Sequence, residues 1–213
     1  ALMATMISFS NEIGNLCKRT GGVDVTEVMK GVHLDKRLSP ILHDGRRIVP
    51  AITSYLEAGC GFGGSCFPKD VKALIAYGKS LGESMRILDS VIEVNQKQPL
   101  QMVDILEKHF PSLHGISVTI LGLAFKPETD DMRESPAIPV VKTLLDRGAR
   151  LTAFDPVAQK EARKLFGHSI QYANSVDEAI KYAEAVLLLT RWDIFANLAD
   201  RFRAMQMQPL IVD

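Results

Sequence analysis

Ile116-Ser117-Val118-Thr119-Ile120-Leu121-Gly122, then Ser135-Pro136, then Arg150-Leu151-Thr152-Ala153-Phe154-Asp155-Pro156 is the stretch whose reading decides the architecture of the C-terminal half. Its first run is apolar and β-branched, the composition of a strand covered on both faces. Ser135-Pro136 opens a helix whose apolar positions Val140, Val141, Leu144 and Leu145 recur at helical spacing and which stops at Gly148. The second strand repeats the unit, with Asp155 as cap and Pro156 as first helical residue. A strand from Ser169 to Tyr172, a helix from Val176 to Tyr182 and apolar strands at Val186 to Leu189 and Leu210 to Val212 continue the alternation. Strand alternating with helix predicts a parallel sheet with helices on both faces, a Rossmann-like α/β domain over residues 115–213.

Upstream of the turn-rich join Pro111-Ser112-Leu113-His114-Gly115 the pattern is helical, and residues 1–110 read as a separate all-helical domain. One amphipathic helix runs to about residue 20 and ends at Gly21-Gly22; Asp24 caps a second. Further helices follow Pro68, span roughly Ser84 to Asn95, and run from Pro99 to Phe110. Between them residues 38–54, with Pro40, Asp44-Gly45 and Pro50, read as an excursion from the helical body. Helical pattern from the first residue, and a final Pro209-Leu210-Ile211-Val212-Asp213 that reads as a core strand, lead us to expect a piece of a longer enzyme.

Lysine plus arginine balance aspartate plus glutamate at 25 each in 213 residues, so no global field favours nucleic acid or an anionic membrane. Cys17, Cys60 and Cys66 form no disulfide framework, and no segment has the length of a membrane span or the pattern of a signal peptide. A cytoplasmic protein is expected. Cys60 and Cys66, six residues apart without a neighbouring histidine, do not make a zinc pattern, and no metal is expected.

Chemistry concentrates in Gly61-Phe62-Gly63-Gly64-Ser65-Cys66-Phe67-Pro68-Lys69-Asp70. Glycines allow close approach of backbone and substrate, and Pro68 marks a helix start beside Cys66, where the helix dipole favours a thiolate. Asp70 falls in the first turn, suited to act as a base or to orient a water. A lone cysteine is more often inert and buried; glycines, helix start and acid together favour a nucleophile. After the first strand, Gly122-Leu123-Ala124-Phe125-Lys126-Pro127 lacks the G-x-G-x-x-G phosphate turn, so a dinucleotide fingerprint is absent. Lys126, Arg133 and the helix start at Ser135 instead suit an anionic ligand such as a diphosphate, the alternative being a solvated charged loop.

Asn11-Glu12, the Gly61–Asp70 run, and Gly122 to Pro127 continuing into Asp130-Asp131-Met132-Arg133-Glu134-Ser135-Pro136 resemble the UDP-glucose/GDP-mannose dehydrogenase family over nearly the whole chain. That resemblance implies oxidation of a nucleotide sugar's primary alcohol to a uronate. It implies NAD as cofactor, bound mainly by an N-terminal Rossmann domain outside these residues, with Lys69 and Arg133 also against it. Cys66 is implied as the nucleophile of a thiohemiacetal and then a thioester, and Asp70 as helper of its hydrolysis. Phe125 and Lys126 are implied at the substrate nucleotide and sugar, Phe62 and Gly63 in the loop over the substrate, and Tyr55 and Leu56 leading into it. Arg37 matches an arginine that reaches a neighbouring subunit's substrate. A homodimer or higher homo-oligomer through the helical domain is implied, with no nucleic-acid or membrane partner. The family's catalytic lysine and asparagine fall before Ala1 and its Gly-Arg pair after Asp213, so these residues alone are expected to be inactive. UDP-glucose is the leading substrate; GDP-mannose, a different thiol-dependent aldehyde oxidation, and a non-catalytic dimerisation and nucleotide-binding module remain the alternatives.

Overall fold

The computed structural model describes residues 1–213 and divides them into two compact units, Ala1–Gly61 with Lys69–Gln98, and Phe62–Pro68 with Pro99–Asp213. In the first unit α1 (Leu2–Thr20) packs against α2 (Val25–His33) and α4 (Arg86–Lys97), while α3 (Phe67–Ser80) follows the glycine-rich loop. Ala4, Ile7 and Cys17 of α1, Met29 of α2, Val71 of α3 and Leu88 and Val91 of α4 are buried, each large aliphatic contributing about 1.5–3 kcal/mol. Ser8 Oγ donates to the Val91 carbonyl at 3.1 Å, which ties α1 to α4. Asp24 caps α2 as expected, its side chain accepting from Thr26 N at 2.8 Å.

A second polar row on α1 holds the chain ahead of the glycine-rich loop. Ser10 Oγ donates to Leu56 O (2.6 Å), and Asn11 Oδ1 accepts from Gly59 N (2.7 Å). Gln98 donates to Gly59 O (2.9 Å) and accepts from Asn15 Nδ2 (2.8 Å). Residues 38–54 form no regular element beyond a single antiparallel bridge between Ile41 and Arg47 and the start of a 3-10 turn, Ala51–Tyr55. Arg47 donates to the carbonyls of Leu34 (2.7 Å) and Ser39 (2.9 Å) and so fastens this segment to the end of α2.

The second unit is a five-stranded, all-parallel sheet in the order β3-β2-β1-β4-β5, formed by β1 (Ser117–Leu121), β2 (Arg150–Phe154), β3 (Gln171–Tyr172), β4 (Ala185–Leu188) and β5 (Leu210–Val212). Val118 is level with Leu151 on one side and Ala185 on the other. The near-continuous burial of β1 and β4 requires cover on both faces, as the run of β-branched residues predicts. On one face α5 (Gln101–His109) and α6 (Ala137–Asp146) bury Val103, Leu106, Val140, Val141 and Leu144. On the other, α8 (Val176–Ile180) and α9 (Leu198–Arg203) close a cluster of Leu121, Phe154, Val186, Ile180, Phe195 and Phe202. Contacts assign α5 to the sheet unit. The fold is thus an all-helical portion followed by a Rossmann-like parallel α/β domain.

Three local expectations shift. Helix α7 (Gln159–Phe166) begins three residues after Pro156, because the Asp155 side chain accepts from Val157 N (2.9 Å) and Ala158 N (2.8 Å) and holds a turn there first. The third strand is confined to Gln171–Tyr172, since only Thr152 and Ala153 of β2 pair with it. α9, whose buried Leu198 and Phe202 lie one turn apart, forms where no helix is expected.

Candidate functional site

Cys66 is exposed and stands immediately before α3, with Asp70 in that helix's first turn, the local geometry that the glycine run and Pro68 predict. The loop carrying it, Phe62–Pro68, belongs to the sheet unit. Gly64 N donates to Arg133 O at 2.8 Å, and Phe62 and Phe67 meet edge to face with centroids 5.8 Å apart. The two glycines are steric requirements. A Cβ on Gly63 would lie 2.3 Å from Glu134 O, and one on Gly64, at φ +80, 2.7 Å from the Phe125 ring.

The partner of this loop is Phe125 to Glu134. Phe125 N donates to Asp131 O (3.1 Å), Asp131 N to Thr129 Oγ1 (3.1 Å), and Arg133 N to Asp131 Oδ1 (2.9 Å). Arg133 Nη2 meets Asp131 Oδ2 at 2.8 Å, completing a two-pronged pair. That hydrogen bond and charge hold the Asp131 carboxyl below its ordinary range and the Arg133 guanidinium above its own. Cys66 adds to the Arg133 shift in the same direction, so the thiol lies within electrostatic reach of this cation. Lys126 Nζ sits 5.7 Å from the Phe125 ring centroid. Glu128 and Glu134 adopt positive φ (62° and 51°), conformations that the dense turn bonding sustains in non-glycine residues.

Within the sheet unit, then, the fold gathers Phe62, Gly63, Cys66, Phe125 and Arg133 around one loop-to-loop junction. Arg37, Tyr55, Leu56, Lys69 and Asp70 belong to the helical unit. There Arg37 pairs with Asp35, Lys69 with Asp70 at 3.2 Å, and Tyr55 is exposed. Leu56 is 2% exposed and lies in the core, its carbonyl accepting from Ser10 Oγ. Sequence reasoning missed Asp155, Thr190 and Trp192. Asp155 Oδ2 accepts from Leu123 N (2.7 Å), Ala124 N (3.1 Å) and Trp192 Nε1 (3.2 Å), and Thr190 Oγ1 donates to Ala124 O (2.6 Å). Asp155 carried a local signal, the acid at a strand end, but it read only as a helix cap; Thr190 and Trp192 carried none.

A parallel α/β sheet whose strand-end loops hold a lysine, an arginine and a docked loop with an exposed cysteine has the layout with which open α/β folds take ligands at their strand ends. Residues 1–97 match the central domain, and residues 119–213 the UDP binding domain, of the UDP-glucose/GDP-mannose dehydrogenase family. The chain belongs to that family of NAD-dependent nucleotide-sugar 6-dehydrogenases. It is 42% identical over 213 residues to the UDP-glucose 6-dehydrogenase AglM of Haloferax volcanii, covering 100% of this chain and 46% of that protein. With TuaD of Bacillus subtilis, also a UDP-glucose 6-dehydrogenase, it shares 40% over 214 residues, covering 100% of this chain and 43% of TuaD. Among solved structures, a UDP-glucose dehydrogenase from Pyrobaculum islandicum superimposes with a TM-score of 0.83 at 40% identity, over 100% of this chain and 44% of that one. A GDP-mannose dehydrogenase from Pseudomonas aeruginosa gives 0.64 at 28% identity, over 97% and 45%. The chain spans less than half the length of these relatives. No helix is long and apolar enough to cross a membrane.

The expectation of NAD as a cofactor of these residues is overturned. The matched regions are a central domain and a UDP binding domain, and neither is an NAD-binding domain. Geometry gives the physical reason. A dinucleotide fold uses the amides of its first βα turn for the pyrophosphate and an acid downstream for the ribose. Here the Leu123 and Ala124 amides and the Asp155 carboxylate are bonded to each other, so the sheet does not fit NAD.

Proposed function

We propose that these residues supply the nucleotide-sugar site and the acyl-forming thiol of a UDP-glucose 6-dehydrogenase. The observation that supports the reading is the docking of the Cys66 loop on the Phe125–Glu134 loop through Gly64 N and Arg133 O. Phe125 and Lys126 receive the nucleotide and sugar, and Phe62 and Gly63 cover the substrate. After loss of a hydride and a proton turns the C6 alcohol into an aldehyde, Cys66 Sγ would add to it to give a thiohemiacetal, and loss of a second hydride from C6 would leave a thioester, both hydrides going to a nicotinamide acceptor that these residues do not themselves hold. Water, oriented by Asp70, hydrolyses that thioester to the carboxylate and frees the thiol. Tyr55 and Leu56 lead into the substrate loop, and Arg37 reaches a neighbouring subunit's substrate.

Choice of UDP-glucose over GDP-mannose is supported by the match to a UDP binding domain and by the higher identity to UDP-glucose dehydrogenases. A homodimer through the helical unit is favoured by Leu2, Phe9 and Leu16, which lie two turns apart along α1 and are 74%, 50% and 60% exposed. Cys17, Cys60 and Cys66 form no disulfide, which fits a cytoplasmic setting. Calorimetric titration of the 213-residue chain with UDP and GDP tests the nucleotide assignment: UDP is expected to bind more tightly, and binding of neither would refute it. In a full-length enzyme carrying these residues, Cys66→Ser is expected to abolish uronate formation; unchanged turnover would sink the thiol mechanism.

A further inference from the structure

Leu123 and Ala124, directly after β1, have all four of their backbone polar groups bonded to side chains from elsewhere in the sheet unit. Both amides go to Asp155 Oδ2; Leu123 O accepts from Ser135 Oγ at 2.7 Å, and Ala124 O from Thr190 Oγ1 at 2.6 Å. Including Trp192 Nε1 and the amides of Val157 and Ala158, the Asp155 carboxylate accepts from five N–H groups while 1% exposed. The preceding Gly122, at φ +89, leaves no room for a side chain, since a Cβ there would lie 2.5 Å from Thr190 Cβ. Converging backbone amides at a strand end are the arrangement with which such folds hold a phosphate. Here the anion is the protein's own.

A buried carboxylate is no economical source of stability, because desolvation offsets much of what its hydrogen bonds return. What it confers is a single conformation for the two residues that lead into Phe125 and Lys126. We propose that Asp155 is a positioning residue that stands in for a ligand phosphate at the turn after β1. It sets Phe125 and Lys126 for the nucleotide and leaves the nucleotide's own phosphates to the Lys126 side chain rather than to the turn amides. This rests on the reading of the sheet unit as a nucleotide site.

The test uses Asp155→Asn and Asp155→Ala in the 213-residue chain, with amide hydrogen exchange read without ligand and UDP affinity read by calorimetry. Expected in Asp155→Asn are exchange at least about tenfold faster over residues 122–127 and 190–192, with β1 and β4 still protected, and UDP binding weaker by about tenfold or more. Emission of Trp192, the sole tryptophan, should move to the red as its indole loses the carboxylate. In Asp155→Ala, added formate should fill the vacated anion position and restore both protection and affinity, which a general loss of packing would not allow. Should neither variant fold, Thr190→Val removes one hydroxyl from the same network and should show the same pattern at smaller amplitude. Unchanged exchange over residues 122–127, or a loosened loop with native UDP affinity, overturns the proposal. If the native chain binds no UDP, the nucleotide reading fails, while exchange and formate rescue still decide whether Asp155 is an internal anion.

Discussion

Replacing Gly63 by alanine should undock the Cys66 loop. The added Cβ would lie 2.3 Å from Glu134 O and 3.0 Å from Glu134 C and Phe125 Cβ, whereas ordinary contact begins near 3.4 Å, so the two loops must part by about 1 Å. Glu134 O is backbone, in a residue already at φ 51°, and does not swing aside as a side-chain tip would. A separation of that size breaks the 2.8 Å bond from Gly64 N to Arg133 O. Overpacking costs about 1–3 kcal/mol and the lost hydrogen bond about 0.5–1.5 kcal/mol, so docking weakens by about 2–4 kcal/mol. Amide exchange at Gly64 should then accelerate at least about 30-fold, since each 1.4 kcal/mol is about a factor of ten. If the loop melts with its unit, Tm falls by about 8–16 °C. Gly31→Ala is the control: its Cβ meets nothing within 4 Å in the last turn of α2, and it should stabilise by about 0.4–1 kcal/mol. Native Gly64 exchange together with a native Tm in Gly63→Ala would refute the steric reasoning.

Asn11→Ala, which removes the acceptor of Gly59 N from a fully buried position, should cost about 1–2 kcal/mol and lower Tm by a few degrees in calorimetry, with no effect on the sheet unit's exchange. Asp131 has its folded-state pKa below the ordinary value of 3.8, chiefly through its hydrogen bond from Arg133. The unfolded chain therefore takes up the proton first on acidification. The pair's stabilisation is complete above that value and is lost as pH falls through the lower folded-state pKa. Urea midpoints measured from pH 5 down to pH 2 should fall less steeply in Asp131→Asn than in the native chain; equal slopes would count against the pair. Ser175→Ala removes the side-chain cap on Glu178 N and should destabilise the sheet unit by about 1 kcal/mol in urea titration.

Most of the fold is legible in the sequence because its signals are local. The β-branched run at Val118 to Leu121 is buried throughout and pairs on both sides, as a central strand must. Asp24 caps the helix that follows it, and the glycine run ends where α3 begins. Arg47 and α9 escaped because their partners are distant: Arg47 bonds carbonyls up to thirteen residues away, and α9 takes its burial from the sheet face beneath it. At the candidate site the residue types around Cys66 and Lys126 were legible, but their company was not.

What the sequence by itself determined is which segments form helix, strand and turn, and that a thiol follows close glycines at a helix start. Burial periodicity and turn chemistry act over a few residues, so one segment carries them. Tertiary structure alone decided that the Cys66 loop docks on Arg133 and Glu134, and that Asp155 closes on amides 31 and 32 residues before it while Thr190 reaches back 66. Those contacts exist because the order β3-β2-β1-β4-β5 brings the ends of β2 and β4 to either side of β1, an adjacency that no single segment encodes.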